Sequence, residues 1–158
     1  MKPGSLFTPA HPAKARNAAA RQALARAIAA IGAGQLGEAA RIVEGEPALL
    51  KTPVGQNVRG DIYLKQGNPA AALKAFEEAL RLQPQMPEAH VNRSVALQEL
   101  RRFDEALAAV DRAIGLRAGY ATAHFNRGNI LKALGRMQDA AGAYGRALAA
   151  QPVFPEAA

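Results

Sequence analysis

The sequence predicts an all-α chain built as a stack of helix pairs, an α-solenoid. Three observations lead there. From Pro53 the residue pattern repeats every 34 residues, in blocks 53–86, 87–120 and 121–154 with no insertion, and a fixed period of this size marks a stacked-repeat architecture. Apolar residues in the second half of each block follow helical spacing, as in Leu73, Phe76 and Leu80. No segment sustains the period-two alternation of strands.

Each block is numbered here from its first residue. Position 8 is small (Gly60, Ser94, Gly128), position 20 is Ala72, Ala106 and Ala140, and position 27 is Ala79, Ala113 and Ala147. Position 11 is Tyr63, Leu97 and Leu131. Position 24 is Phe76, Val110 and Tyr144, position 28 is Leu80, Ile114 and Leu148, and position 32 is Pro84, Ala118 and Pro152. Small residues let two helices approach closely, and the large apolar residues fill the space between those contacts.

Taken in chain order, residues 1–13 hold Pro3, Gly4, Pro9 and Pro12 and are expected to form an irregular basic arm. Residues 14–52 are expected to be a degenerate first repeat, because Gly34 to Ala39 mimics Gly135 to Ala140. That register makes Ala20–Ile31 a helix A and Leu36–Glu44 a helix B. Gly45 and Pro47 spoil the end of helix B, since both disfavour helix interiors. Each full block then splits into helix A, as in Glu88–Leu100, and helix B, as in Asp104–Leu116. Between them lie Gln66-Gly67-Asn68-Pro69, Arg101-Arg102-Phe103 and Gly135-Arg136. Gly and Asn suit a left-handed C-cap, Pro69 suits the first turn of the next helix, and Asn68 or Asp104 can cap its N-terminus. The proline at position 32 stops helix B. Pro155-Glu156-Ala157 restates Pro87-Glu88-Ala89, so residues 155–158 are expected to start a further, truncated repeat.

These residues together resemble the tetratricopeptide repeat, in particular bacterial proteins of that family: small at 8, Tyr or Leu at 11, Ala at 20, aromatic or aliphatic at 24, Ala at 27 and Pro at 32. The resemblance covers 53–154. It implies a right-handed superhelix of antiparallel helix pairs with helices A lining the concave face. The departures are Gln56, His90 and His124 at position 4, where the family carries Trp or another aromatic. Arg59, Arg93 and Arg127 stand at position 7, commonly Leu, and Ala118 stands at position 32.

Composition excludes several function classes. Cysteine is absent from the 158 residues, which removes disulfides, thiolate metal sites and cysteine nucleophiles. No run of about 20 apolar residues could span a bilayer. Arg16, Arg21 and Arg26 interrupt the Ala-rich N-terminal stretch, so it lacks the apolar region of a secretion signal, and a cytoplasmic location is expected. The net charge is +7, and before Glu38 there are five basic residues and no acidic one. Only Phe7 accompanies that arm as an aromatic, so base stacking has little support and nucleic acid is not the expected partner.

No catalytic constellation is present, and no cofactor or metal is expected; the chain reads as a non-enzyme. His90 and His124 share a repeat position and therefore lie about 10 Å apart by helix-packing distance, too far for bonds of about 2 Å to one metal. They are expected to replace a packed aromatic. Gly32-Ala33-Gly34 follows no strand, so it is not a phosphate loop. The position-7 arginines are expected to lay their stems over apolar surface and reach solvent or a neighbouring acid.

The resemblance places positions 2, 5, 6, 9, 12 and 13 of helix A on the concave side. The groove candidates are Asn57, Asp61, Leu64 and Lys65 in the first block, Val91, Asn92, Val95 and Gln98 in the second, and Phe125, Asn126, Asn129 and Lys132 in the third. The same stripe includes Val54, Val58, Glu88, Glu99, Thr122 and Ala133. Apolar anchors interleaved with amides suit an extended peptide or a partner helix, because an amide can donate to and accept from a peptide backbone at once. The two-carboxylate clamp of the family's chaperone-tail readers is not expected, since position 5 is Asn57, Val91 and Phe125 where the clamp needs Lys. The expected function is a non-catalytic protein-interaction module with a protein or peptide partner. The alternative is the substrate-positioning arm of a longer enzyme such as a glycosyltransferase, which the partial Asn ladder of Asn92 and Asn126 resembles. The uncapped C-terminal face is a candidate surface for homo-oligomerisation.

Overall fold

In the computed structural model, residues 12–151 are described, and they contain nine helices and no strand. In chain order these are α1 (Pro12–Gly32), α2 (Leu36–Glu44), α3 (Pro47–Leu50), α4 (Pro53–Lys65), α5 (Pro69–Leu82), α6 (Pro87–Glu99), α7 (Phe103–Leu116), α8 (Ala121–Ala133) and α9 (Met137–Ala150). Three full pairs, α4–α5, α6–α7 and α8–α9, follow the pair α1–α2. Each helix B packs on the helix A that follows it, and α4, α6 and α8 touch in succession to form a continuous inner layer. The all-α solenoid expected from the 34-residue period is the observed fold.

The core explains the small residues. A Cβ added to Gly60 would lie 2.4 Å from the ring of Phe76, and one added to Gly128 would lie 2.5 Å from the ring of Tyr144. The middle repeat solves the same contact differently. Val110 replaces the aromatic, and Ser94 then fits at position 8, fully buried, with its hydroxyl donating to the Val91 carbonyl at 2.6 Å. Positions 20 and 27 are buried in all three repeats, which brings helix B onto its neighbours at backbone range.

Four turns between helices A and B close in the same way. Gly34, Gly67, Arg101 and Gly135 all adopt positive φ, at 74°, 75°, 60° and 76°. In each, the next amide reaches back five residues to a helix A carbonyl: Gln35 to Ala30, Asn68 to Tyr63, Arg102 to Leu97, and Arg136 to Leu131. This is the Schellman cap, for which glycine is the usual residue. Arg101 occupies it without being glycine. Asn68 caps α5 as expected, its Oδ1 accepting from the Ala71 amide at 3.1 Å. Asp104 does not cap α7. That helix starts one residue earlier, with Arg102 at the N-cap, and Asp104 sits in the first turn where its charge favours the helix dipole.

The first repeat differs from the others by one residue. Ala39 and Ala72 are 33 apart, whereas Ala72, Ala106 and Ala140 are spaced by 34. Helix B stops at Glu44 as expected, breaks at Gly45, and resumes as the single turn α3 with Pro47 at its start. The structure corrects the N-terminal expectation. Helix A of this repeat runs from Pro12 and not from Ala20, so residues 12 and 13 are helical. Proline suits a first helical turn, and the Ala-rich sequence that follows is strongly helix-forming. The remainder of the arm, with His11 and Phe7, and the restart at Pro155 lie outside the described residues.

Gly60→Ala is expected to destabilise the chain by about 1–3 kcal/mol through overpacking. In a Phe76→Val background, which copies the Ser94–Val110 solution, the same change should cost under about 1 kcal/mol. Equal costs in both backgrounds, measured by denaturant unfolding, would refute the ring contact as the cause.

Candidate peptide-binding groove

Position 4 organises each junction between repeats. Gln56 Nε2 donates to the Leu50 carbonyl at 2.7 Å, His90 Nε2 lies 2.9 Å from the Pro84 carbonyl, and His124 Nε2 lies 2.7 Å from the Ala118 carbonyl. A carbonyl only accepts, so both imidazoles carry their proton on Nε2. Their Nδ1 atoms are buried without a partner. The expected structural role of the histidines takes this specific form: a donor replaces the family's aromatic and satisfies a backbone carbonyl in the segment that follows helix B. Burial, reinforced by Arg112 and Arg93, holds the His90 pKa below its ordinary value, against the opposing effect of the Pro84 carbonyl.

Position 7 forms a second ladder. Arg59 pairs with Glu44 at 2.7 Å, Arg127 with Asp111 at 2.7 Å, and Arg93 more loosely with Glu77 at 3.6 Å. Each acid lies on the preceding helix B, so the arginines bridge repeats. This meets the expectation of a neighbouring acid. Arg59 and Tyr63 also stack, with the guanidinium 5.5 Å from the ring centroid.

With the junctions set, helices A present the groove. An open cleft of about 580 Å3 lies between α6 and α8. It gathers Val95, Gln98, Asn126 and Asn129 from the expected residues, with Glu99 and Ala133 from the same stripe. Beside it, Asn92 Nδ2 donates to Asn57 Oδ1 at 3.1 Å across α4 and α6. That pair leaves an acceptor on Asn92 and a donor on Asn57 for a ligand. Asn129 Oδ1 accepts from the Tyr144 hydroxyl at 2.6 Å, which leaves its NH2 group free to donate.

The other expected residues are placed differently. Asp61 faces Lys65 at 3.5 Å on the same helix, and Leu64 packs partly into the core. Val91 is only 3% exposed and belongs to the central core cluster, so it cannot serve as the ligand anchor expected of it. The next repeat covers it. Phe125 does not line the cleft. It packs against Tyr144, with ring centroids 5.7 Å apart, on the C-terminal end of the stack. Lys132 is exposed.

The cleft also contains Arg101 and Phe103, which the helix A stripe omitted. Both sit at the turn into helix B, with the guanidinium 5.4 Å from the ring centroid. A signal for Arg101 was available: it stands where the other repeats carry Gly34, Gly67 and Gly135. A bulky residue held in a glycine conformation points to a use for its side chain.

Among the described residues no helix is long and apolar enough to cross a membrane, and no cluster of three potential ligands could hold a metal. The basic residues of α1, Lys14, Arg16, Arg21 and Arg26, are all exposed.

His90→Gln is expected to keep neutral-pH stability within about 1 kcal/mol, because Gln56 makes the same bond in the first block. A histidine with a depressed folded pKa stabilises the fold above its unfolded pKa of about 6.5, and that contribution is lost as pH falls below it. Urea unfolding between about pH 6.5 and 5 should therefore show a shallower loss of stability in His90→Gln than in the parent.

Solved structures share this architecture. A crystal structure of MamA superposes with a TM-score of 0.72 at 17% identity, covering 83% of this chain and 77% of that one. The first TPR of Spaghetti (RPAP3), bound to HSP90 peptide SRMEEVD, matches with a TM-score of 0.62 at 26% identity, over 65% of this chain and 82% of that one. A chain of an APC/C hetero-tetramer gives a TM-score of 0.78 at 18% identity, over 85% of this chain and 28% of that one. No curated protein matches the sequence. The profile of the Tetratricopeptide repeat family matches residues 57–121 and 95–153, and with the helix pairs and their spacing this places the chain in the tetratricopeptide repeat family.

Proposed function

We propose that this protein-interaction module binds an extended peptide segment in the cleft between α6 and α8. The observation that carries the reading is the convergence of Gln98, Asn126 and Asn129 from two helices A on one open cleft with Val95 beside them. Amides at fixed spacing can pair with a peptide backbone and set its register. Val95 and the Phe103 ring supply apolar contact, and a preformed groove lowers the ordering cost of binding. The RPAP3 repeat with its bound peptide supports this mode of use for the fold.

The ligand differs from that peptide's acidic C-terminus. Position 5 carries Asn57, Val91 and Phe125, of which Val91 is buried. Glu99 and Arg101 both border the cleft, so its charge is mixed and does not select a strongly acidic tail. The same groove would serve a substrate-positioning arm of a longer enzyme, and peptide binding is the step common to both readings.

Peptides selected from a random library on the parent chain should bind at least about tenfold more weakly to a Gln98→Ala, Asn126→Ala variant. Arg101→Gly, which restores the glycine of the other turns, should weaken binding while leaving the helical signal unchanged. Undiminished binding by both variants, measured calorimetrically, would place the peptide site elsewhere.

A further inference from the structure

The two ends of the stack differ chemically. At the N-terminal end, a cleft of about 480 Å3 between α1 and α2 is lined by Gln22, Arg26, Glu38, Arg41 and Glu46 among others. Charged groups there keep the end hydrated. At the C-terminal end, a cleft of about 480 Å3 between α8 and α9 is lined by Ala121, Thr122, Phe125, Tyr144, Leu148 and Gln151, with Ala147 at its base, and no charged side chain takes part. Phe125 is 53% exposed and Leu148 is 70% exposed. Inside the stack the corresponding residues are covered by the next repeat: Val91 is buried, and Leu80 and Ile114 are half-buried.

Three occupants of this face can be compared. A second copy docking head-to-tail would bring Arg26, Glu46 and the Arg41–Glu38 ion pair onto Phe125 and Leu148, which strips charged groups of water against an apolar surface. A further helix of this chain's own helix A type would carry the position-7 arginine. Its partner acid, supplied internally by Glu77 and Asp111, is replaced in α9 by Gly145. The same face of a second copy is uncharged and apolar, so the two surfaces meet without unpaired charge. We propose that the C-terminal end face of α8 and α9 pairs with the same face of a second copy in a two-fold dimer, with Leu148 and Phe125 at its centre. Such an isologous contact closes on itself and does not propagate into filaments. It also leaves the cleft between α6 and α8 open in both copies.

Sedimentation equilibrium on the full chain tests this, from about 1 µM to about 1 mM, a range that populates even a weak dimer. The parent mass should rise from 16.6 kDa toward twice that value. Leu148→Lys and Leu148→Glu should each be monomeric, with unchanged helical circular dichroism because the side chain is exposed. An equimolar mixture of the two should regain the dimer, since a two-fold contact sets the lysine against the glutamate. Thr122→Arg, on the rim of the same cleft, should also be monomeric and serves if either Leu148 variant loses helix. A parent that stays monomeric throughout overturns the proposal. So do variants that remain as dimeric as the parent, and so does a mixture that stays monomeric.

Discussion

In the repeats with an aromatic on helix B, helix A and helix B approach until there is no room for a Cβ where they cross. This constraint governs the rest of the fold. A ring on helix B demands glycine on helix A, as in Phe76 with Gly60 and Tyr144 with Gly128, and relaxing the ring to Val110 admits Ser94. The close crossing fixes the angle within a pair. It also leaves helix A edge-on to the next repeat, where its remaining positions must satisfy a loop carbonyl, reach an acid, or face the groove. Those assignments follow helical spacing: positions 4 and 7 turn toward the preceding repeat, and positions 6, 9 and 12 line the inner surface.

The junctions between repeats add polar contacts at the edge of an apolar interface. A side-chain donor meets a loop carbonyl, and an arginine meets a carboxylate on the preceding helix B. Surface ion pairs of this kind contribute about 0–1 kcal/mol each, so their main effect is on geometry. They orient successive helices A and so set how far apart Asn57, Asn92 and Asn126 stand along the groove. The loosest pair, Arg93 with Glu77, lies at the junction behind the Asn57–Asn92 contact. Here the inner hydrogen bond and the outer ion pair hold the same two repeats from opposite sides.

Much of this was legible in the sequence, because a repeat reports every contact several times. The period, the small positions and the glycine turns each appear three or four times, so the pairing of helices follows from the pattern. The end of α2 at Glu44 was readable because Gly45 and Pro47 are unambiguous breakers. The start of α1 was not, since Pro12 fits an irregular arm and a first helical turn equally well. Within the groove, the stripe rule treated all repeats alike, but burial depends on what comes next. Val91 has a following repeat over it and Phe125, at the same position, does not. One sequence position therefore yields a core residue in one block and an end-face residue in another. Arg101 and Phe103 lie outside the helix A stripe, because the turn into helix B forms one wall of the cleft.

The junction contacts have a consequence for how chains of this kind change length. The outer polar partners across a junction recur at the block period: the donor at position 4 with the carbonyl at 32, and the arginine at 7 with the acid at 25. Excising residues 87–120 would set His124 against the Pro84 carbonyl and Arg127 against Glu77, a complete junction made from two halves that had never met. Whole blocks are thus interchangeable parts with standard couplings. Insertion or loss of a block costs the stack no matching outer polar partner, and the inner surface grows or shrinks by one helix at a time. Under the proposed peptide-binding reading, the length of groove offered to a ligand follows the number of blocks, independently of the side chains that line it.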